Sequence, residues 1–412
     1  MVERFKLTVW GGSGVATPEL IDALRHEMGD LAIDVVLWGR NPEKLELVGG
    51  VCRRMAEASG RDLGVTWTTN PDEAVEGAHY VLNQIRVGGM SGRAFDETFP
   101  RDFGIPGEET VGPGGFSNAL RTIPVVLKHC RHLEQVAPQA ILLNLTNPSS
   151  LVQYAITRYS KVHVLGLCDA PVTLMRGIAE LLGVPYEECS FDYFGMHHFG
   201  WVTGVWWNGQ DLMPRALERI EDLPKLEVEP ELVRAMGAVP HPYLKYYLHP
   251  DRMLAKTMGR PCRAEELIAW QERALEFYRR WDSGEKPAIL AQRGAVWYQE
   301  IIVPALLSMM RDDGRTYVVN VTNNGLVSWL PPEAIIEVPC TVGRAGAHPL
   351  APADVPPDIR AMIQVNCAYE IMAVEAIVEG SYEKALRALM LNPMVRDYRQ
   401  AKGILEFIWP ER

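Results

Sequence analysis

Short apolar runs alternate with stretches of helical periodicity along the first part of the chain. FKLTVW (5–10), IDVVLWG (33–39), GVTWTT (64–69), AHYVLNQI (78–85), AILLNLT (140–146) and VHVLGLC (162–168) read as β-strands. Between them, TPELIDALRHEM, NPEKLELVGGVCRRMAEA, SNALRTIPVVLKHCRHLEQV and PSSLVQYAITRY space their apolar residues as helices do. Thr17 is placed to cap the first helix, with Pro18 in its first turn. Strand–helix alternation of this kind predicts an α/β fold built on a Rossmann-type doubly wound parallel sheet.

Beyond residue 170 the pattern changes. SFDYFGMHHFGWVTGVWWNG alternates like two antiparallel strands with a turn, and YVVNVTNNG and AIIEVPCTV are further strands. PVTLMRGIAELLG, RAEELIAWQERALEFYRRWD and the last fifty or so residues read as helices. The expected organisation is a dinucleotide-binding domain over residues 1–170 and a mixed α+β domain over 171–412 for substrate, metal and oligomerisation.

Composition narrows the function classes. With 412 residues and 47 % hydrophobic content, the chain is long enough for two ordinary cores. A net charge of −11 argues against a general nucleic-acid surface. The cysteines at 52, 130, 168, 189, 262, 340 and 367 form no CxxC pair, and their number is odd. That usage suits reduced thiols and a cytoplasmic protein. The chain opens on a strand instead of a signal-peptide core, and no uninterrupted apolar run is long enough for a membrane span, so neither secretion nor a membrane partner is expected.

GGSG (Gly11, Gly12, Ser13, Gly14) joins the first strand to the first helix, where glycine lets a pyrophosphate approach the backbone. A structural tight turn is the other reading. The second strand ends in Gly39-Arg40, not in the acid that holds an NAD ribose, so NADP stands beside NAD as a candidate cofactor. Later strands end in polar clusters: NQIRVGGMSGR, NLTNPSS with Asn147, and the pair Cys168-Asp169. Such loops converge on one crevice in a doubly wound sheet. Cys168 with a histidine of GMHHFGW offers a thiolate and an imidazole, a donor set suited to a divalent metal with open positions. The residues alone leave metal binding, acid chemistry and packing open for Cys168-Asp169.

Taken together, GGSGVATPELI, QIRVGGMSGRAFDETFPRDFGIPGEETVGPGGFSNALRTIP, NLTNPSSLV, GLCDAPV, FGMHHFGWV, HPYLKYY and VVNVTNNG followed by EVPC resemble glycoside hydrolase family 4 over nearly the whole chain. The resemblance implies a lactate-dehydrogenase-like first domain, NAD, and Mn²⁺ or another divalent metal. It implies Cys168 and His198 as metal ligands, Tyr243 as base, Asp169 as general acid, Asn147 as a substrate contact and Arg93 as a contact to a sugar 6-phosphate. The implied substrate is a 6-phospho-glycoside, with 6-phospho-β-glucosides favoured. The implied route is oxidation at carbon 3, proton loss at carbon 2, elimination, water addition and return of the hydride. A homodimer or homotetramer is implied as well.

The chain departs from the family pattern at Ala16, Gly39-Arg40, His197 and RGAVWYQ (293–299). Two neighbouring readings are a glycosidase for 6-phospho-α-glucosides, unphosphorylated glycosides or uronides, and a 2-hydroxy-acid-type dehydrogenase. A nucleotide-binding regulator without turnover is a third, opposed by the retained metal, acid and base candidates.

Overall fold

The computed structural model describes residues 3–224 and 226–410. Its strands are β1 (Arg4–Trp10), β2 (Ala32–Trp38), β3 (Leu63–Thr68), β4 (Tyr80–Asn83), β5 (Ile141–Asn144), β6 (His163–Gly166), β7 (Cys189–Met196), β8 (Phe199–Trp207), β9 (Gln210–Asp211), β10 (Val239–Pro240), β11 (Arg315–Thr322), β12 (Ile335–Gly343) and β13 (Gly346–Pro349). All of them join one sheet, whose main path runs β10-β8-β7-β12-β11-β6-β5-β4-β1-β2-β3. The order β6-β5-β4-β1-β2-β3 is wholly parallel and reverses direction between β1 and β4, as in a doubly wound sheet. Ligands bind at the carboxyl edge of such a sheet, beside that reversal.

The later strands do not form a separate sheet. β11 runs antiparallel to β6 with Asn320 opposite Gly166, so the mixed half extends the first half directly. Side chains explain the seam. A Cβ on Gly166 would stand 2.8 Å from Asn320 Cβ, so glycine lets the strands approach. Gln153 donates to the Asn320 carbonyl at 2.8 Å, Asn320 donates to Glu337 at 2.9 Å, and Tyr193 donates to Glu337 at 2.7 Å. Every one of these residues is buried, so each polar group needs its partner. The network fixes β6, β7, β11 and β12 two residues upstream of Cys168.

Thr17 corrects one expectation. It is the first residue of the helix Thr17–Glu27, whose cap is Ala16 with no side-chain bond. The Thr17 hydroxyl instead accepts from Gln84 at 3.2 Å. The stretch after β4 also holds more order than its glycines suggest, because Gly89–Thr98 is helical. The helix Gly112–Val136 runs through Pro124. The helix Pro357–Glu379 is long and apolar enough to cross a membrane, and half of its apolar window is buried in the fold. It carries buried Asn366 and Glu370.

Candidate active site

The glycine turn sits at the carboxyl end of β1. The Gly11 and Gly12 N–H groups donate to the Trp38 carbonyl at 3.1 and 2.8 Å, binding the turn to the end of β2. Gly11 has φ +83°, and a Cβ on Gly12 would lie 2.6 Å from Leu37 Cβ. The N–H groups of Ser13, Val15 and Ala16 find no acceptor among the described residues. They precede the helix Thr17–Glu27, so unpaired donors and the helix dipole face the same place. Those features fit a diphosphate. From the other half of the chain, Tyr278 donates to the Val15 carbonyl at 2.7 Å, and Tyr298 donates at 2.7 Å to Gln84, which donates in turn to the Gly11 carbonyl at 3.3 Å.

A cavity of about 360 Å³ opens beside this turn. Gly14, Arg93, Asn147, Cys168, Asp169, His198 and Tyr243 all line it. Gly11, Gly12 and Ser13 belong to the turn but not to this lining, and Arg40 lies exposed beyond β2. Cys168 follows β6, and Asp169 is the cap residue of the helix Ala170–Leu182. The Asp169 carboxylate makes no capping bond, so it is free to act in the cavity. Burial raises its pKa against a hydrogen bond from its own backbone N–H, with the nearby Glu300 adding to the rise, and the net direction favours the protonated form.

His197 and His198 form the hairpin tip between β7 and β8. His198 has φ +61°, a conformation that costs a non-glycine residue about 1–2 kcal/mol. The rings of His197 and Tyr243 stack on His198 at 3.8 and 3.7 Å. One ligand atom each from Cys168, His197 and His198 lies within 4.8 Å of the others, and all three residues are buried. Burial drives the His197 pKa down to about 3, while burial, His197 and His241 drive His198 well below its usual range. Both imidazoles are neutral and keep a lone pair for coordination. Burial, then Glu337 and Asp169, pushes the Cys168 thiol up. A cation is what turns that thiol into a thiolate, so the donor set fits a divalent metal.

Arg93 lines the cavity but is already paired. It donates to Glu97 at 2.6 Å and meets Glu109 at 3.0 Å, while Arg86 also pairs with Glu109. Against the push of burial, Arg86 and Arg93 hold the Glu109 carboxyl below its usual range. Arg293 has no carboxylate partner among the described residues; its guanidinium lies 4.7 Å over the Trp297 ring. Burial, then Arg93, Arg263 and Arg86, lowers its pKa to about 10. Of the three guanidinium groups at this wall, Arg293 is the one without a carboxylate partner among the described residues, a placement suited to an anionic substrate group.

Pattern reading did not single out Arg293 as a cavity residue, nor Glu108, Glu109 and Thr110. Arg293 was visible only as the head of RGAVWYQ. The other three occur in IPGEETVGPGG, where two adjacent acids in an otherwise glycine- and proline-rich loop were the available signal.

Family models match both halves of the chain: the family 4 glycosyl hydrolase model over residues 6–184, and the family 4 glycosyl hydrolase C-terminal domain over 193–395. A probable 6-phospho-β-glucosidase of Bacillus subtilis is 32 % identical, across 98 % of this chain and 96 % of its own length. The chain belongs to family 4 of the glycosyl hydrolases. Within this family, a maltose-6′-phosphate glucosidase of Bacillus subtilis is 30 % identical over 99 % of this chain and 97 % of its own. The 6-phospho-β-glucosidase of Thermotoga maritima, solved with manganese, NAD⁺ and glucose 6-phosphate, superposes with a TM-score of 0.88. It is 29 % identical and covers 98 % of this family 4 chain and 97 % of its own. A 6-phospho-α-glucosidase from gut microorganisms, solved with NAD and Mn²⁺, gives 0.89 at 25 % identity, over 99 % and 100 % of the two chains. Lactate dehydrogenase from Eimeria maxima, at 16 % identity and a TM-score of 0.57 over 95 % and 96 %, shares the fold.

Proposed function

We propose that this family 4 chain hydrolyses 6-phospho-glycosides, with 6-phospho-β-glucosides favoured, using NAD and a divalent metal such as Mn²⁺. The convergence of Cys168, Asp169, His198 and Tyr243 on one cavity beside the glycine turn carries the reading. Relatives named as 6-phospho-β-glucosidases and 6-phospho-α-glucosidases support the substrate class. A 2-hydroxy-acid dehydrogenase shares the sheet, but that reading gives the buried thiol–imidazole cluster no role.

In this reading Cys168 and His198 hold the metal, with His197 beside them. Residues 1–170 carry the dinucleotide on the turn Gly11–Gly14 and give Arg93, Asn147, Cys168 and Asp169 to the sugar site, and 171–412 add His197, His198, Tyr243 and Arg293. When bound, the dinucleotide accepts a hydride from carbon 3 and later returns it, while the metal draws electron density from the neighbouring sugar oxygens. Asn147 orients a sugar hydroxyl. Tyr243 Oη takes the proton from carbon 2. Burial, then Glu108, raises that phenol well above its usual range, so it needs a cation close by to act as base; it stacks on His198, a metal ligand in this reading. Asp169, whose pKa burial raises, gives a proton to the departing oxygen. Arg93 fixes the anion-binding wall, and Arg293 supplies the uncommitted charge for the 6-phosphate.

All seven cysteines are free thiols, which supports a reducing compartment, the cytoplasm in this reading. The exposed Phe95 and Phe407, stacked 5.8 Å apart, offer apolar surface for a homodimer or homotetramer.

The test is release of nitrophenol from nitrophenyl 6-phospho-β-glucoside, its α-anomer and the unphosphorylated glucoside, with NAD and Mn²⁺, before and after chelation. Phosphate-dependent, chelator-sensitive release is expected. Accumulation of NADH without aglycone release would favour the dehydrogenase.

A further inference from the structure

The adenosine end of the dinucleotide site has the wrong charge for a plain ribose. In doubly wound folds the 2′-oxygen of the adenosine ribose lies at the carboxyl end of β2, where NAD enzymes place an acid and NADP enzymes an arginine. Here the residue after β2 is Gly39. It is pressed against the glycine turn: a Cβ there would stand 3.1 Å from Ser13 Oγ and 3.3 Å from Leu45 Cδ1. A side chain at this position would need the Ser13 side chain to shift by a few tenths of an ångström. The usual hydrogen-bond acceptor for a ribose hydroxyl is absent here, where the residue is Gly39.

Cations occupy the place instead. Arg40 is exposed, and its side chain has no hydrogen bond or ion pair among the described residues. Asn41 caps the helix Pro42–Ala58, its side chain accepting the Lys44 N–H at 2.9 Å. The Lys44 side chain is half-buried, and burial lowers its ammonium pKa with no counter-charge to restore it. Arg40 and Lys128 both bear electrostatically on His129, which packs on Trp38 at 5.0 Å, so Lys128 adds a third positive charge in this region. Neighbouring acids are engaged elsewhere. Asp72 meets His132 at 3.1 Å, and Glu73 accepts from Thr68 at 2.7 Å and Asn70 at 3.2 Å. Glu43 and Glu46, in the first two turns of the helix, are exposed carboxylates without an ion pair among the described residues. Arg40 and Lys128, both close enough to act on His129 and both without an ion pair among the described residues, give this end of β2 a positive character suited to an anion, in a chain with net charge −11.

We propose that this subsite selects a 2′-phosphorylated nicotinamide dinucleotide, with Arg40 pairing with the 2′-phosphate and Lys44 adding a second charge at the helix start. The inference rests on the dinucleotide reading of the glycine turn and deepens it. NAD still fits the turn and the nicotinamide end, but it leaves Arg40 and Lys44 without a partner.

Calorimetric titration of the full chain with NADP⁺ and NAD⁺, and with adenosine 2′,5′-bisphosphate against 5′-AMP, tests this without reference to turnover. The 2′-phosphorylated member of each pair should bind at least about 10-fold more tightly, with the margin narrowing as salt rises. Arg40→Asp, at an exposed position, should reverse the order, and Lys44→Gln should reduce the margin. Equal or tighter binding of NAD⁺ by the wild type, or a ratio unmoved by Arg40→Asp, overturns the inference. If NAD⁺ binds and supports phospho-glycoside cleavage while NADP⁺ is weaker, this inference alone fails. If neither dinucleotide binds, it fails together with the dinucleotide reading beneath it.

Discussion

Thr110 Oγ1 stands 2.9 Å from Nδ1 of His198, and the same hydroxyl donates to Oε2 of Glu108 at 2.5 Å. The Thr110 N–H also donates to that oxygen at 2.5 Å. A hydroxyl that has given its proton to Glu108 accepts from the imidazole, so Nδ1 of His198 carries the hydrogen and Nε2 keeps its lone pair. The chain Glu108–Thr110–His198 thus sets the tautomer a metal needs. Thr110→Val keeps the shape and removes the acceptor. It should weaken Mn²⁺ binding about 10–100-fold, read from the signal of free Mn²⁺ in a titration, and Thr110→Ser should restore most of the loss. Equal affinity for all three proteins would count against the chain.

A second expectation concerns the thiol. Burial keeps Cys168 protonated through neutral pH in the metal-free protein. Metal uptake must then displace one proton, so apparent affinity should climb about tenfold per pH unit between about pH 6 and 8. Cys168→Ala should flatten that slope as well as weaken binding. A steep slope in the variant would assign the proton to another group.

The carboxylate beside it plays a different part. Asp169 caps nothing, and burial favours its protonated form. Asp169→Asn should lower kcat by about 10²–10⁴-fold for a glycoside with an alkyl leaving group. The loss should shrink for nitrophenol, which departs without a proton. Equal losses for both would assign Asp169 to sugar binding.

Arg293 is the cavity guanidinium without a carboxylate partner among the described residues, proposed above to meet the 6-phosphate. Replacing it by Met should raise KM for a 6-phosphorylated substrate about 10–100-fold, with kcat changed far less. Steady-state kinetics with phosphorylated and unphosphorylated glucosides would show it. A fall in kcat with KM unchanged would place Arg293 at the reacting carbons and not at the phosphate.

These expectations draw on two kinds of information. The parallel strands were legible because each is a short apolar run between turn residues, and their carboxyl ends supplied Gly14, Asn147, Cys168 and Asp169 to one cavity as the topology requires. Cys168 was paired with a histidine of GMHHFGW from donor chemistry, but the choice of His198, and Tyr243's part, came only through the family resemblance. The seam between β6 and β11 escaped notice because it rests on Gly166 being small and on a buried polar network, neither of which leaves a periodicity. Thr110 and Glu108 were hidden for a related reason: a loop residue that positions another side chain has no pattern of its own. Thr17 misled because threonine suits a helix cap, and here Gln84 claimed its hydroxyl.

Glu370 supplies the last prediction, which concerns stability. It is buried on the helix Pro357–Glu379, and its carboxylate accepts from Asn366 at 3.1 Å. Burial raises its pKa to about 8, against hydrogen bonds from Ser150 and Asn366 that favour the charged form. In the unfolded chain the same group titrates near its ordinary value of about 4.3. Between those limits the folded state holds a proton that the unfolded state has released, so stability falls as pH rises through this window. The slope is of order 1 kcal/mol per pH unit until the folded carboxyl itself ionises. Glu370→Gln keeps the shape and the neutral character of the protonated acid. It should match the wild type in urea melts near pH 4, then gain on it steadily up to about pH 8 and stay level above. A variant whose stability runs parallel to the wild type across that range would show that Glu370 is ionised in the folded protein.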